Sequence, residues 1–461
     1  MINYQSVATV NAVQDLHNQF MSYQTQNRMK SNYYDGKQRI KDLGISLPPE
    51  LRHIDTVVGW PGTVVDVLDE RLDFEGWSDD DLDIIYHSND LDVVASNAHT
   101  DAFIFGTSFA IVTSGQVGEP DPFITVAPPT EMVAVRDRTG LVEEACHFYS
   151  EDNEEKAVLY RRDANLWLTR GMGGWKVDFV DEHNLGRNQV VQMVNRPRGS
   201  HTAGRSEITP AIRGYTDMAL RTLVGSEVAR EFYAVPQRYV LGAPESFFID
   251  EDGNQRGAWD AMMGKILALE GEDGMDNPVV GQFTAYSMSP FFEQIKGIAE
   301  MLAAEAAIPP NYLGFQTANP ASADAIVNYE NRLIKRAERR QGMFGKSWTE
   351  VARLSLMVRD GRTIESLTPV ELAIRPLWRN PATPTRAAAA DEIVKMAGIG
   401  VYPADGEYVM KRLGLTPADR DMLRQDRAKS VTAALARLNE QNEATGTGSQ
   451  ITPEAREMGA N

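Results

Sequence analysis

The sequence from Ser322 to Arg359, SADAIVNYENRLIKRAERRQGMFGKSWTEVARLSLMVR, predicts one long helix that stops before Asp360-Gly361. At 1.5 Å per residue it would reach about 57 Å. Gly342 and Gly345 each cost about 1 kcal/mol inside a helix, so we expect a kink there. Apolar residues recur along one side of the pattern at helical spacing: Ile326, Tyr329, Leu333, Ala337, Phe344, Trp348, Val351 and Leu354.

One face of this helix is basic in an otherwise acidic chain. Its cations are Arg332, Lys335, Arg336, Arg339 and Arg340. They could form salt bridges with a neighbouring acidic surface or bind a partner. They could also touch nucleic-acid phosphates, which requires only clustered Lys or Arg. The sequence leaves these three interpretations open.

Two shorter helical patterns precede the long helix. Residues 206–235 predict a helix with Ser206 as N-cap and Pro210 in its first turn. Small residues in the middle of its buried stripe would let another helix approach closely. Residues 290–308 predict a second helix, which Pro309-Pro310 stop, and residues 311–320 follow as a ten-residue loop between two helices. Between the two helices, residues 237–290 predict a protruding α/β excursion that includes a strand at 238–241.

The N-terminal half contains one helical pattern, an acid-rich stretch and a series of strand patterns. Residues 11–34 predict an amphipathic helix whose buried face carries Val13, Leu16, Phe20 and Tyr23. The acid-rich stretch 66–101 is interpreted as an outer surface. Further on, runs rich in β-branched and aromatic residues predict antiparallel hairpins, without the crossover helices that a doubly wound nucleotide fold needs. The predicted strands are 102–113, 123–127, 132–135, 145–149, 157–160, 166–169 and 175–180. The predicted fold class is α+β.

Composition narrows the function classes. The chain has 461 residues and a net charge of −19, which argues against a protein that coats DNA or a membrane surface. Its length suggests two to four domains. One cysteine, Cys146, excludes an intrachain disulfide. We find neither a secretion leader nor an 18-residue apolar window, so we expect a protein that is neither secreted nor membrane-spanning.

The sequence contains no complete match to the enzyme motifs considered, a phosphate-binding loop and a metal-binding pair of histidines. Gly345-Lys-Ser347 lacks the earlier glycine of a phosphate-binding loop, because position 340 is Arg. The seven histidines form no i, i+4 helical pair. An alternative remains in which the aspartates at 79, 80, 81 and 83 serve a metal-dependent phosphate-handling enzyme. No cofactor or metal is otherwise expected, and the chain is predicted not to be an enzyme.

Four segments stand out together: Tyr33-Tyr-Asp-Gly-Lys37, Asn195-Arg-Pro-Arg-Gly199 leading into Gly204-Arg-Ser-Glu-Ile208, Ala303 to Gly314, and the long helix with Tyr329-Glu-Asn331. In these segments the chain resembles portal proteins of tailed double-stranded-DNA bacteriophages, in particular those of actinobacterial hosts. Their order and spacing cover roughly residues 1–440. Another ring component of a virion, such as an adaptor, is the second alternative, but adaptors are usually much shorter chains.

The resemblance implies a portal fold with named parts. They are a wing of helices and antiparallel hairpins (1–205), stem helix 1 (206–235), an α/β clip (236–289), stem helix 2 (290–308), a tunnel loop (309–321), a long kinked wing helix with its return segment (322–382), a helical crown (383–440) and a disordered tail (441–461).

The resemblance also implies a function and partners. Such proteins form a dodecameric ring at one capsid vertex, which serves as the DNA channel for packaging and ejection and nucleates procapsid assembly. Expected partners are double-stranded DNA without sequence specificity, the terminase large subunit, head–tail adaptors, and the major capsid and scaffolding proteins. The expected location is the virion, after assembly in the host cytoplasm.

Three groups of site residues follow from the resemblance. The tunnel loop would present Asn311, Tyr312, Gln316, Thr317 and Asn319, and the clip would offer Glu270, Glu272 and Asp273 to terminase or adaptor. The basic face from Arg332 to Arg340 would meet DNA or a neighbouring subunit. The uncharged polar side chains of the loop would let DNA slide past, since each neutralised phosphate adds affinity.

Overall fold

The fold is described from a computed structural model. The structure describes residues 7–38, 56–199, 202–233, 238–241, 279–282, 287–315, 323–382, 386–401 and 417–444, with six single positions between 403 and 415. The chain divides into two compact units, one ending at Pro381 and one beginning at Ala382. Within the described ranges, no helix has both the length and the apolarity needed to cross a membrane.

Two antiparallel sheets form the β region, as the runs of β-branched residues predicted. The strands are β2 (Thr107–Thr113), β3 (Phe123–Ala127), β4 (Met132–Arg136), β5 (Val142–Glu151), β6 (Glu154–Tyr160), β7 (Asn165–Gly171), β8 (Gly174–Asp181) and β9 (Val190–Val194). One sheet has five strands in the order β4-β5-β6-β7-β8, and the other has three in the order β3-β2-β9. Gly171 lies opposite Gly174 at the tight hairpin between β7 and β8.

The five-stranded sheet is covered on both faces. Side chains alternate along β5, so Cys146 packs towards helix α1 (Val7–Tyr34) and Ala145 packs towards the three-stranded sheet. Val13 and Leu16 of α1 are buried as predicted, whereas Tyr23 is 48% exposed, so its placement on the buried face is wrong.

The acid-rich stretch is more than an outer surface, and that prediction needs correction. It folds into α2 (Trp60–Asp69), β1 (Phe74–Trp77), α3 (Asp83–Ser88) and α4 (Leu91–Phe105). Its acids lie exposed or half-buried, but its apolar residues belong to the largest core of the protein. Buried members are Leu68, Leu72, Phe74, Trp77, Leu82 and Leu91, whereas Ile84 is 78% exposed. Residues 102–105, predicted as the start of a strand, end α4 instead, because Gly106 terminates the helix with φ of 100°.

The C-terminal half of the first unit is helical. It contains α5 (Pro210–Tyr233), α6 (Ser289–Ala306), α7 (Ala323–Asp360) and the short α8 (Pro369–Leu372). α5 packs against α6, and its Gly225 lies close to Phe291 of that helix, as a stripe of small residues predicted. The strand predicted at 238–241 is β10 (Arg238–Leu241), which pairs antiparallel with β11 (Val279–Gln282).

The long helix α7 is the centre of the core. The described part of its predicted apolar stripe is buried, from Leu333 to Leu354. Gly345 lies where β12 (Pro376–Trp378) crosses the helix, and a Cβ there would be 3.0 Å from the Cγ of Pro376. Close approach of this strand explains the glycine, while the kink at Gly342 and Gly345 stays a prediction.

β12 pairs antiparallel with β1, which lies near the start of the unit. Phe74 is opposite Trp378, and Arg379 forms an ion pair with Glu75, 304 positions earlier in the chain. The second unit contains α9 (Arg386–Gly398) and α10 (Pro417–Ala444). Both lie in or overlap the segment 383–440 that the resemblance implied to be a helical crown. The prediction of a disordered tail from residue 441 is wrong for its first four residues, because α10 continues to Ala444, and the rest of the tail lies outside the described residues.

Replacing Trp348 by Phe is expected to lower the free energy of unfolding by about 2 to 3 kcal/mol. Trp348 is fully buried, and its Nε1 donates to Nε2 of His99 at 2.9 Å. Phe cannot donate, so His99 would lose this partner in a site where burial already lowers its pKa to about 3. Urea unfolding followed by far-UV circular dichroism measures the loss.

The matched control for this prediction is Trp167→Phe. The indole of Trp167 lies half-buried beside Phe179 on the five-stranded sheet. Its replacement is expected to cost less than about 1 kcal/mol. Equal losses for the two variants would contradict the role assigned to the bond between Trp348 and His99.

Candidate functional site

Two of the five cations on α7 point inwards. Arg340 donates from Nη2 to Oε1 of Glu207 at 2.6 Å, and Arg336 donates from Nη2 to Oε2 at 2.8 Å. Arg340 is 4% exposed and Glu207 is 2% exposed. These two arginines therefore form buried salt bridges within the chain.

Glu207 gains two more partners from the segment that follows β9. Asn195 donates from Nδ2 to Oε1 of Glu207 at 3.0 Å, and Arg196 donates from Nη1 to Oε2 at 3.3 Å. The backbone N–H of Glu207 donates to the carbonyl of Phe103 at 2.8 Å. We call Asn195, Arg196, Glu207, Arg336 and Arg340 the Glu207 cluster. It joins residues from three distant parts of the sequence.

The charge of Glu207 is stabilised by this arrangement. Burial alone would raise the pKa of its carboxyl group, but Arg340 and Arg336 attract the carboxylate, and the net result is a pKa below the ordinary value of 4.5. A buried charge needs such partners because desolvation is otherwise costly. Glu207 is therefore ionised at neutral pH and holds α7 against the chain that leads into α5.

Two glycines allow the backbone to reach this position. Gly204 has φ of 87°, and a Cβ on it would lie 2.1 Å from the carbonyl oxygen of Gly106. That same oxygen accepts a hydrogen bond from the N–H of Asn195 at 3.0 Å, and the N–H of Arg205 donates to the carbonyl of Asn195 at 2.8 Å. Only a residue without a side chain fits at position 204.

The start of α5 differs from the predicted one. The helix begins at Pro210, and Oγ1 of Thr209 accepts from the N–H of Ile212 at 3.3 Å. Ser206, predicted as the N-cap, lies before the helix and donates from Oγ to the carbonyl of Ile104 at 2.5 Å. Its hydroxyl attaches the entering chain to α4 instead of capping α5.

The remaining cations form the rim of a groove. The groove encloses about 720 Å³ and also reaches Glu207 and Glu305. Arg332 donates to the carbonyl of Ala304 at 3.3 Å, and Lys335 pairs with Glu338 at 2.5 Å. The side chains of Arg205 and Arg339 have no hydrogen bond or ion pair with any residue that the structure describes. We call Arg205, Arg332, Lys335 and Arg339 the basic rim; it can receive negative charge from outside the chain.

The predicted loop at 311–320 is described only at its start. Residues 310–313 form a turn of 3₁₀ helix, whereas the sequence predicted a loop without helix from residue 311 onwards. Tyr312 donates from its hydroxyl to Oε1 of Glu330 at 2.9 Å and accepts from Arg71 at 3.1 Å, which fixes it to the body of the unit. Asn311 is exposed. Gln316, Thr317 and Asn319 lie outside the described residues.

The structure describes only one of the two acidic groups that the sequence singled out, the aspartates between positions 79 and 83. Glu270, Glu272 and Asp273 lie outside the described residues. Asp80, Asp81 and Asp83 are exposed at the start of α3, and Asp79 is half-buried, with its carboxylate accepting from the N–H of Asp81 at 3.2 Å. Over the described part of the chain, no group of three or more His, Cys, Asp or Glu side chains is arranged to hold a metal ion.

Sequence reasoning missed the centre of the site. It identified Arg336 and Arg340 but not the residues that meet them, Glu207, Asn195 and Arg196. A signal was present, because the last three lie in the two adjoining segments from 195 to 199 and from 204 to 208 that carried the family resemblance.

Comparisons with known proteins agree on one family. The family model described as "Phage portal protein, SPP1 Gp6-like" matches residues 15–425. The portal protein of Mycobacterium phage D29 is 35% identical over 421 residues, covering 87% of this chain and 85% of the relative. The portal protein of Mycobacterium phage L5 is 34% identical over 418 residues, covering 86% and 83%.

Solved structures show a more distant likeness. One is from the virion of a native gene transfer agent particle, with 15% identity, a TM-score of 0.43, and coverage of 78% of this chain and 90% of the other. Another, from the neck of the native particle, has 15% identity, a TM-score of 0.44, and coverage of 77% and 90%. On the strength of the family match and the two mycobacteriophage relatives, this chain belongs to the phage portal protein family.

Proposed function

We propose that this chain forms a ring of twelve copies at one vertex of a phage capsid, with a central channel through which DNA enters during packaging and leaves during ejection. The observation that carries the proposal is the continuity of the family match over residues 15–425, together with 35% identity to a mycobacteriophage portal protein. When one surface of a subunit meets a different surface of the next, a ring forms if the rotation between neighbours closes.

The parts of the chain have proposed roles in this ring. Helices α5 and α6, which pack together through small residues, would be the stem, and the strand pair β10–β11 would lie at the base of the clip. The sheets and α7 would be the wing, and α9 and α10 the crown. The clip would bind the terminase large subunit during packaging and the head–tail adaptors afterwards. The wing would meet the major capsid and scaffolding proteins as the procapsid is nucleated.

The loop after α6 is proposed to face the channel. Tyr312 donates a hydrogen bond to Glu330 of α7, so the described start of the loop is attached to that helix. Uncharged polar side chains there, and a net charge of −19 for each copy, would let DNA pass with little attraction.

The purified chain is expected to assemble into a ring of about 614 kDa, because one copy has a mass of 51.2 kDa and twelve copies add up to that value. A closed ring contains a whole number of subunits, so its mass gives their number. Mass photometry gives the mass, and electron microscopy of the same sample gives the symmetry. A species of thirteen copies would still support a ring. A stable monomer or dimer at every concentration would contradict the proposal and favour the enzyme alternative.

A further inference from the structure

We propose that the basic rim receives the exposed aspartates at the start of α3 from a second copy of this chain. This inference rests on the proposed ring and names the contact between its subunits. The acidic corner is defined as Asp80 and Asp81, which are exposed just before α3. Each copy would supply the rim on one side and the corner on the other.

The rim has capacity for an outside anion. Arg205 and Arg339 have no side-chain partner among the described residues, and Lys335 is 72% exposed although it pairs with Glu338. The buried acid of the groove, Glu207, is already shared by Arg336, Arg340 and Arg196, and Glu305 is the other acid that lines it. The groove therefore keeps a surplus of positive charge.

The acidic corner of the same copy cannot neutralise that surplus. The hydrogen bond that Arg359 donates to Asp360 contributes most to raising the pKa of that arginine, and Asp81 lies close enough to add to the shift. Arg359 is in the last turn of α7, and the rim lies near Arg336, about 34 Å earlier along the helix at 1.5 Å per residue. At physiological salt, charges that far apart are screened, since the Debye length is about 8 Å.

Charge complementarity points to a second copy as the occupant. Every copy carries one basic rim and one acidic corner, so their numbers match in any closed ring. Different surfaces that pair head to tail generate rings. Duplex DNA is the other anion that the basic rim could hold, and the test below distinguishes the two occupants.

The test is a charge exchange. Lys335→Glu with Arg339→Glu reverses the rim, and Asp80→Lys with Asp81→Lys reverses the corner. Either double variant is expected to raise the protein concentration at half-assembly at least about tenfold, and the variant with all four changes is expected to recover much of the ring. Mass photometry measures assembly, and circular dichroism checks that each subunit is folded.

The matched control reverses two exposed cations elsewhere, with Arg138→Glu and Lys176→Glu, and should assemble as the unchanged chain does. If the unchanged chain forms a ring and the variant with Lys335→Glu and Arg339→Glu assembles equally well, this inference alone is overturned. It is also overturned if the variant with all four charge changes does not recover assembly. If the reversed rim assembles but loses binding to a fluorescent DNA duplex, the groove serves DNA and the inference is wrong. An unchanged chain that never forms a ring would overturn the proposed function, and this inference with it.

Discussion

Replacing Glu207 by Gln is expected to lower the free energy of unfolding by about 3 to 5 kcal/mol. The substitution keeps the shape of the side chain but removes the negative charge that Arg336 and Arg340 share at 2.8 and 2.6 Å. Two positive charges would then face each other in a site where Arg340 is 4% exposed. Denaturant unfolding of the separated subunit measures the change.

The control is Glu305→Gln, which removes an exposed acid from the same groove. Its expected loss is under about 1 kcal/mol. The difference should also depend on pH. Because the folded pKa of Glu207 lies below its ordinary value of 4.5, its contribution is complete above that value and is lost as the pH falls through the folded pKa. A loss for Glu207→Gln that stays constant down to the acid transition would contradict the role of its charge.

Replacing Gly204 by Ala is expected to lower the free energy of unfolding by about 3 kcal/mol or more. The φ of 87° is unfavourable for alanine by about 1 to 2 kcal/mol, and forcing a methyl group into a packed site adds about 1 to 3 kcal/mol. The methyl would lie 2.1 Å from the carbonyl oxygen of Gly106, so the chain must move and the bond from Asn195 to that oxygen would weaken. The soluble yield and the urea midpoint report the effect.

Gly214→Ala is the matched control. Gly214 lies inside α5, and a Cβ there meets nothing within 4 Å. Alanine in a helix is more favourable than glycine by about 0.5 to 1 kcal/mol, so this variant should be slightly more stable than the unchanged chain. Similar midpoints for the two alanine variants would show that the close approach at Gly204 is unimportant.

Local pattern predicted much of the fold. Strands β3 to β8 follow runs of β-branched residues separated by turn residues, and α7 follows a stripe with a period near 3.6, so neighbours in sequence determine both. Helices α2 and α4 were not predicted, because their many acids indicated an exposed surface. The same helices carry Leu68 and Leu91, which are buried in the core. β9 and β12 are short and pair with residues far away in sequence, which no local window shows.

The site was harder to predict for the same reason. The sequence does not distinguish Arg336 and Arg340 from Arg332 and Arg339, because all four lie on the same face of the predicted helix. What separates them is Glu207, 129 and 133 positions earlier. A single sequence contains no signal for that pairing, because the distance between the partners depends on how the whole unit closes.

The pairing of β1 with β12 bears on how the chain is made. Arg379 meets Glu75 across 304 positions, so β1 leaves the ribosome long before its partner strand exists. At about 5 to 20 residues per second, synthesis of the intervening chain takes about 15 to 60 seconds. During that time the edge of β1 has no partner strand. A nascent chain therefore completes this unit only after Trp378 has been added, and shorter chains carry an open sheet edge instead of a finished unit.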